Sequence, residues 1–274
     1  MGNDAAMTLA GNLASVMGGA RIEGLTRLSG GASRETWMFS ADGENMVLQR
    51  QRDGATRGMS IEASVLRAAH AAGVAVPELI VDGGESKELG NPFFVVRAVQ
   101  GETIARKIQR DDEFAHARTV LTSDMGRAMA ATHSIPVTSV PGLIEQDEIA
   151  YYRKVLDDTG EPHPVFEVAF RWLESNRPSG TGKTVVHGDF RLGNVMVDRN
   201  GLTAVLDWEL AHIGDPMEDL GWVCVKAWRF GGPKPVAGIG EYAELFDAYE
   251  AAGRPRPDFE VVRWWEVLGT LKWG

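Results

Sequence analysis

The character of the sequence changes near Gly101, and this change limits the folds that the chain can adopt. Before Gly101, short apolar and β-branched runs alternate with glycine-containing turns, a pattern typical of an antiparallel meander. In residues 59–72 apolar side chains recur at helical spacing, and Gly73 stands where a helix would end. Strands are predicted at residues 20–28, 35–40, 45–50, 78–82 and 92–99. We therefore predict a small β-sheet with one helix for residues 1–100.

Helical patterns dominate the second part of the chain, residues 101–274, and prolines separate several of them. Helices are predicted at residues 114–133, 145–156, 165–176, 217–226, 239–252 and 259–273. Short strand-like runs lie between the third and fourth of these, at residues 184–187, 195–197 and 203–206. The predicted fold class is α+β, with a sheet lobe in residues 1–100 and a mostly helical lobe with an embedded hairpin in residues 101–274. Because ligands often bind where lobes meet, we expect the site there.

Charge and composition exclude several classes of protein. The chain carries 28 Lys and Arg against 38 Asp and Glu, a net charge of −10, so it lacks the basic footprint of a nucleic-acid binder. We find neither a run of about 18 apolar residues nor a signal peptide, and the single Cys224 cannot form an internal disulfide. We expect a cytoplasmic protein that does not bind membranes. The last predicted helix runs to the end without an evident cap, which leaves open whether the natural chain ends at Gly274.

The densest group of chemically versatile residues is the segment VVHGDFRLGNVMVD, residues 185–198, followed by TAVLDWE, residues 203–209. Asp189 and Asn194 are five residues apart in a loop between two predicted strands, and Asp207 ends a third. This spacing suits phosphoryl transfer, in which one carboxylate accepts the substrate hydroxyl's proton while an amide oxygen and a second carboxylate hold Mg²⁺. Each residue alone would be an ordinary turn or cap residue; together they indicate a site.

The segment HGDFRLGN…LDWE resembles the catalytic and metal-binding loops of the aminoglycoside phosphotransferase and choline kinase group, which has a protein-kinase-like fold. The motif is most similar to the kinase-like domains linked to acyl-CoA dehydrogenases, because antibiotic kinases usually have His at the position of Arg191. The resemblance implies ATP and Mg²⁺ as cofactors, Asp189 as catalytic base, and His187 as organiser of the loop. It implies Asn194 and Asp207 as the Mg²⁺ ligands. Arg191 would lie near the transferred phosphate, with a surface ion pair as the alternative.

The segment GDPMEDLGW, residues 214–222, extends the resemblance. Asp215 precedes Pro216, which is favoured at the first position of a helix, so Asp215 is predicted to cap a helix. By resemblance, Asp219 would reach back to brace the backbone of the catalytic loop.

A nucleotide-binding half is predicted from the first hairpin. The segment LSGGASRETW places Gly30, Gly31 and Ser33 between two predicted strands, where small residues let backbone amides approach phosphate.

The next strand, MVLQRQR, departs from the family pattern because the usual lysine is absent. Arg50 is the best substitute, and Glu62 matches the acid that pairs with this cation. Gln49 is the alternative occupant, since strand alternation lets only one of the two neighbours face the site. Backbone groups around Ala98 and Gln100, between the predicted lobes, are expected to contact adenine.

The resemblance implies transfer of the γ-phosphate of ATP to a hydroxyl of a small molecule. Three acceptor classes stay open: an amino-sugar, an amino alcohol and a hydroxyacyl thioester. The imperfect glycine loop and the missing lysine motivate an alternative, a pseudokinase that binds nucleotide or serves as a scaffold without turnover.

Overall fold

A computed structural model describes residues 3–30, 34–52, 58–84, 86–180 and 182–274. The chain divides into two compact units, one formed by Met1–Ala71 with Val76–Val99 and the other by Ala72–Ala75 with Gln100–Gly274. The first unit contains a five-stranded antiparallel sheet, and the second is mostly helical. The predicted α+β class is confirmed.

The first unit is built around one sheet with helices beside it. Its elements are α1 (Asn3–Val16), β1 (Ile22–Gly30), β2 (Arg34–Ala41), β3 (Glu44–Gln51), α2 (Met59–Ala71), β4 (Leu79–Gly83) and β5 (Phe93–Arg97). The strand order is β1-β2-β3-β5-β4, so the first three strands form the predicted meander. Asp42 and Gly43 join β2 to β3 at φ values of 50° and 88°, the left-handed pair that a two-residue hairpin turn needs.

Helix α1 supplies one side of the core of the first unit, and the sequence analysis missed it. Leu9 and Leu13 of α1 pack against Trp37 and Phe39 of β2 and against neighbouring apolar residues of the sheet. The spacing of Leu9, Leu13 and Val16 follows one face of a helix, so the signal was present in the sequence.

The second unit combines helices with two short two-stranded sheets. Its elements are α3 (Ala105–Arg110), α4 (Ala115–Thr132), α5 (Glu148–Thr159), α6 (Pro164–Ser175), β6 (Thr184–Val186), β7 (Val195–Asp198), β8 (Gly201–Val205), β9 (His212–Gly214), α7 (Met217–Trp222), α8 (Tyr242–Ala251) and α9 (Phe259–Trp273). Strand β6 pairs with β9, and β7 pairs with β8, both antiparallel. Helix α7 ends at Trp222, four residues before the predicted end, and a 3₁₀ turn at Lys226–Arg229 follows.

Close packing of α7 on α9 sets the geometry of the second unit near the site. A Cβ on Gly221 of α7 would lie 2.5 Å from the Cβ of Trp265 on α9, so only glycine permits this approach. On its other side α9 shares a core with α5 and α6, where Trp264 donates from Nε1 to the carbonyl of Leu173 at 3.0 Å. In the part of the chain that the structure describes, no helix has the length and apolar character needed to cross a membrane.

Candidate active site

The segment HGDFRLGN forms the loop between β6 and β7, and we call residues 187–194 the catalytic-motif loop. It ends in a 3₁₀ turn at Leu192–Asn194. The amide of Leu206 donates to the carbonyl of Asn194 at 2.8 Å, one pair beyond the last bridge between β7 and β8. This bond extends the hairpin and brings Asn194 beside the residue that precedes Asp207.

The side chain of Asp219, on α7, binds the backbone at the start of the catalytic-motif loop. Its fully buried carboxylate accepts from the amides of His187 at 2.8 Å and Gly188 at 2.9 Å, and lies 3.0 Å from Nε2 of His133. Burial disfavours the charged carboxylate, but the hydrogen bond and charge of His133, together with His187, lower the pKa of Asp219. The predicted bracing role of Asp219 is confirmed. Asp215 accepts from the amide of Met217 at 2.9 Å, although Pro216, and not Asp215 as predicted, stands at the N-cap position of α7.

The backbone conformation and the close packing at position 188 require glycine. Gly188 adopts a φ of 79°, and a Cβ there would lie 2.5 Å from the carbonyl oxygen of Leu210. The turn at Gly188 lets the two consecutive amides of the loop point at one carboxylate.

His187 connects the catalytic-motif loop to the end of β8. Its fully buried ring has Nδ1 3.2 Å from the amide of Asp189, and Nε2 2.9 Å from the carbonyl oxygen of Leu206. Because Nδ1 accepts from an amide, Nε2 carries the proton and donates to Leu206. The ring also packs against Trp208 with 4.6 Å between centroids. His187 thus ties together the segments that carry Asp189 and Asp207.

The Asp189 carboxylate is surrounded by donors from three side chains. It accepts from Nε1 of Trp222 at 2.7 Å, from Nδ2 of Asn194 at 2.6 Å, and from Nε of Arg191 at 3.1 and 3.2 Å. The guanidinium of Arg191 lies 4.6 Å from the ring centre of Trp228, so an aromatic face supports it. Arg191 is therefore an ion-pair partner of Asp189, although not one on the open surface, since only 24% of its side chain is exposed.

Trp222 is a site residue that sequence reasoning missed. It lies in the same segment as Asp219, three residues later on α7, so both side chains reach the loop from one short helix. That spacing could have pointed to it.

Asn194 and Asp207 offer the oxygen ligands that a magnesium ion prefers. The Asn194 amide nitrogen bonds to Asp189, which makes Oδ1 the atom of that side chain available in principle to a cation. Asp207 has a φ of 63°, a left-handed conformation that is uncommon outside glycine and costs about 1–3 kcal/mol. One amide oxygen and one carboxylate fit Mg²⁺, which needs few protein ligands.

A buried charge cluster lies next to the catalytic-motif loop, and sequence reasoning missed it too. It consists of Glu148 on α5, His212 on β9, Glu218 on α7 and Lys272 on α9. Nζ of Lys272 lies 3.4 Å from Glu148 and 3.8 Å from Glu218, and donates to the carbonyl of Gly188 at 3.2 Å. His212 lies 3.1 Å from Glu218. The two carboxylates and the imidazole could chelate a metal ion, but the Lys272 ammonium already supplies the positive charge there.

The cluster shifts the pKa values of its members. Burial alone would lower the pKa of His212, but the hydrogen bond and charge of Glu218 and the charge of Glu148 raise it to about 9. Burial and the neighbouring Glu148 raise the pKa of Glu218 to about 7. Burial likewise opposes the charge of Lys272, and the two carboxylates outweigh it and raise its pKa.

In the first unit, the predicted ion pair between Arg50 and Glu62 is wrong. Glu62 pairs with Arg34 at 2.7 Å, whereas Arg50 pairs with Glu35 at 2.6 Å and donates to the carbonyl of Leu89 at 2.8 Å. The reason is strand alternation. Arg50 lies opposite Glu35 on the sheet, on the face away from Glu62.

Gln49, the predicted alternative to Arg50, is the β3 residue on the same face of the sheet as Glu62. It lies on the same face as Arg34, and its Oε1 accepts from Nη1 of Arg34 at 2.9 Å. The cation next to Glu62 therefore comes from β2, not from β3.

The remaining predicted nucleotide contacts fall partly outside the described residues. Gly30 ends β1, but Gly31 and Ser33 lie outside the described part of the chain. The amide of Ala98 donates to the carbonyl of Asn45 at 2.9 Å, and the carbonyl of Gln100 accepts from Oγ1 of Thr203 at 3.3 Å. An adenine contact at this segment would have to use its other backbone groups, and it stays a prediction.

Comparison with known proteins places this geometry in a family. The sequence profile described as the phosphotransferase enzyme family matches residues 24–265, which include both halves of the predicted site. The chain belongs to the phosphotransferase enzyme family.

Solved structures with the same fold include two phosphotransferases. A macrolide 2'-phosphotransferase from Brachybacterium faecium superposes with a TM-score of 0.66 at 20% identity, covering 96% of this chain and 90% of that one. An aminoglycoside phosphotransferase in ternary complex with AMP-PNP and hygromycin B gives a TM-score of 0.67 at 22% identity, covering 97% of this chain and 90% of that one. These likenesses confirm the predicted kinase-like fold of this phosphotransferase.

A curated relative extends the sequence comparison. Acyl-CoA dehydrogenase family member 10 of Mus musculus is 25% identical over 215 residues, which are 73% of this chain and 20% of that protein. The chain spans about a quarter of the length of the curated relatives it matches. The predicted similarity to domains linked to acyl-CoA dehydrogenases is confirmed.

Proposed function

We propose that this phosphotransferase uses ATP and Mg²⁺ to phosphorylate a hydroxyl group of a small molecule, with Asp189 as catalytic base. The observation that carries the proposal is the geometry of Asp189. Its carboxylate is held by Trp222, Arg191 and Asn194 in a loop that Asp219 braces through two backbone amides. A base fixed before the substrate arrives needs no rearrangement during the reaction.

The proposed chemistry conserves atoms and charge. The substrate O–H bond breaks and its proton passes to a carboxylate oxygen of Asp189. The hydroxyl oxygen forms a new bond to the γ-phosphorus as the bond from that phosphorus to the β-phosphate oxygen breaks, and ADP leaves.

Asn194 and Asp207 would hold the magnesium ion. The ion would screen the phosphate charges of the bound nucleotide. His187 would keep these two ligands in register, since it bonds to the amide of Asp189 and to the carbonyl that precedes Asp207.

Arg191 would offset charge on the transferred group. Its Nε bonds to Asp189, and a guanidinium carries five N–H donors, so one side chain can bond to the base and to a phosphate oxygen together. The pairing with Asp189 places this cation beside the base.

The second candidate, a nucleotide-binding module without turnover, is favoured by two observations. Gln49 stands where kinase-type enzymes have a lysine, and the donors around Asp189 compete with a substrate hydroxyl for its oxygens. The two candidates differ in product formation. An active enzyme releases ADP in the presence of an acceptor, and a pseudokinase binds ATP without releasing ADP.

The acceptor is identified by a screen with Mg²⁺ and ATP. Amino-sugars are included because a structural neighbour is complexed with hygromycin B, and hydroxyacyl-CoA thioesters because the curated relative is named as an acyl-CoA dehydrogenase family member. Amino alcohols complete the set. We expect acceptor-dependent ADP release that is lost in Asp189→Asn and kept in Asp198→Asn, a matched change at the far end of β7. ATP binding without ADP release in any arm would favour the pseudokinase.

A further inference from the structure

Lys272 on α9 is a buried cation next to the catalytic-motif loop, and the proposed chemistry gives it no role. Only 11% of its side chain is exposed. Burial alone would lower the pKa of Lys272, but Glu148 and Glu218 raise it, so the side chain carries its charge. Buried ion pairs are costly to form, and apolar residues of similar size often give equal or greater stability. The position of this charge therefore calls for an explanation other than stability.

The ammonium of Lys272 lies closer to the loop than to its carboxylate partners. Its Nζ is 3.2 Å from the carbonyl oxygen of Gly188, compared with 3.4 Å from Glu148 and 3.8 Å from Glu218. A charge-assisted bond between nitrogen and a carboxylate oxygen usually measures about 2.7–2.9 Å. Both ion pairs are longer than this, and the nearest of the three oxygens belongs to the loop.

The first route from Lys272 to Asp189 passes through the backbone. The carbonyl of Gly188 and the amide of Asp189 belong to one planar peptide unit. Lys272 donates to the carbonyl, and the amide donates to Nδ1 of His187 at 3.2 Å. The peptide unit that precedes Asp189 is therefore held at both ends, which fixes the backbone from which the Asp189 side chain extends.

The second route passes through Trp222. Nζ of Lys272 lies 4.7 Å from the ring centre of Trp222, within the range of a cation–π interaction. Nε1 of the same indole donates to Oδ1 of Asp189 at 2.7 Å. Because the orientation of the ring decides where its N–H points, the cation that holds the ring also supports the bond to the carboxylate.

We propose that Lys272 is a positioning residue for phosphoryl transfer, which fixes both the peptide unit before Asp189 and the indole that donates to its carboxylate. The inference rests on the proposed function, in which Asp189 is the catalytic base. Lys272 acts through Gly188 and Trp222, and not on the reacting atoms. A displacement of about 1 Å in a reacting group can slow a reaction about a hundredfold, so loss of this support is expected to lower kcat.

The test measures ADP release from Mg²⁺-ATP by Lys272→Met, with water as the acceptor and with the acceptor classes of the screen. We expect kcat to fall about tenfold to a hundredfold. The KM for ATP should stay within about threefold of the wild type, because ATP would bind through Mg²⁺ at Asn194 and Asp207. Lys154→Met, at an exposed lysine of α5, is the control and should keep both wild-type constants.

A charge-balanced variant separates positioning from stability. Lys272→Met alone leaves an uncompensated acid in the buried charge cluster, whereas Lys272→Met with Glu218→Gln removes one charge of each sign. We expect the double variant to regain unfolding free energy in urea and to keep the low kcat of the single variant. Recovery of kcat together with stability would overturn the inference. The double variant also replaces the single one if Lys272→Met fails to fold.

The outcomes separate this inference from the proposed function. If the wild type releases ADP and Lys272→Met releases it with an unchanged kcat, the role of Lys272 is overturned and the phosphotransferase proposal stands. A raised KM for ATP with an unchanged kcat has the same meaning. If the wild type releases no ADP with water or with any acceptor, the phosphotransferase proposal is overturned and the role of Lys272 with it.

Discussion

At the scale of single residues, the orientation of the Asp189 carboxylate depends on the groups that hold it. The bond from Trp222 is the shortest contact to Asp189 that comes from outside the loop, and α7 carries both this tryptophan and Asp219. One short helix therefore sets the backbone of the loop and the orientation of the Asp189 carboxylate. Arg191 completes the arrangement from within the loop.

The change Trp222→Phe tests the orientation of the base. It removes the indole N–H but keeps an aromatic ring against Lys272 and Trp228. Loss of one hydrogen bond worth about 1 kcal/mol lowers kcat by roughly fivefold to tenfold, and the KM for ATP should stay near the wild-type value. Steady-state kinetics measure both constants. Trp172→Phe on an exposed face of α6 is the control, and an equal loss of kcat there would contradict the assignment.

Asp207 offers a test of the proposed magnesium site. Its left-handed backbone is tolerated by asparagine, so Asp207→Asn keeps the turn and removes the negative charge. We expect the Mg²⁺ concentration for half-maximal activity to rise at least about tenfold, because Mg²⁺ favours charged oxygen ligands. Magnesium titrations of ATP turnover measure this. An unchanged magnesium requirement would argue that Asp207 does not bind the ion.

At the scale of elements, the buried charge cluster joins α5, β9, α7 and α9 beside the loop. Among the residues that the structure describes, Glu148 and Glu218 are the acids that pair with His212, and Lys272 is the cation that pairs with both acids. Lys272 also bonds to the carbonyl of Gly188, so α9 contacts the loop directly. The protonation of the cluster is thereby connected to the stability of the fold around the site.

The cluster predicts a specific dependence of stability on pH. His212 titrates near pH 6.5 when unfolded and at about 9 when folded, so its stabilising contribution is complete below pH 6.5 and is lost as the pH rises through 9. The raised pKa of Glu218 acts in the same direction between pH 4.5 and 7. The His212 contribution is at most about 3 kcal/mol.

Urea unfolding at pH 6 and pH 9.5 measures this contribution. The wild type should lose more unfolding free energy between the two pH values than His212→Gln does, and His116→Gln, a change at an exposed histidine, should behave like the wild type. Equal losses in all three proteins would show that folding does not raise the pKa of His212 above its value in the unfolded chain.

The parts of the site that lie close together in sequence could be predicted, and the contacts between distant segments could not. Asp189 and Asn194 lie in the loop before β7 and Asp207 follows β8, so their spacing along a short stretch of sequence predicted the site, and the resemblance of GDPMEDLGW implied the bracing by Asp219. Strand β9 has only three residues, which is too short for a periodic pattern in the sequence. It is recognised as a strand by its pairing with β6. The charge cluster draws on four segments that are up to 124 residues apart, which no local pattern contains.

The ion-pair partner of Glu62 also could not be predicted from the sequence. Alternation along β3 predicts that Gln49 and Arg50 lie on opposite faces of the sheet, but it does not predict on which face α2 packs. Arg34 was overlooked because the expected cation belongs to β3, and only the register of β2 on β3 brings Arg34 beside Glu62.

At the scale of the whole molecule, the two units and the family profile describe a kinase-like phosphotransferase. The sheet unit carries the Arg34–Glu62 pair, and the helical unit carries the loop with Asp189. The family sets the class of chemistry, and the acceptor screen identifies the substrate. The central claim is phosphoryl transfer from ATP with Asp189 as the proposed catalytic base.

The most direct test is the rate of γ-phosphoryl transfer to the acceptor in Asp189→Asn, with the Kd of ATP determined on the same samples. Asparagine keeps the size of the side chain and cannot accept the proton. We predict a transfer rate at least about a hundredfold below the wild type and a Kd for ATP within about threefold of it. Transfer at the wild-type rate in Asp189→Asn would contradict the assignment of Asp189 as the catalytic base.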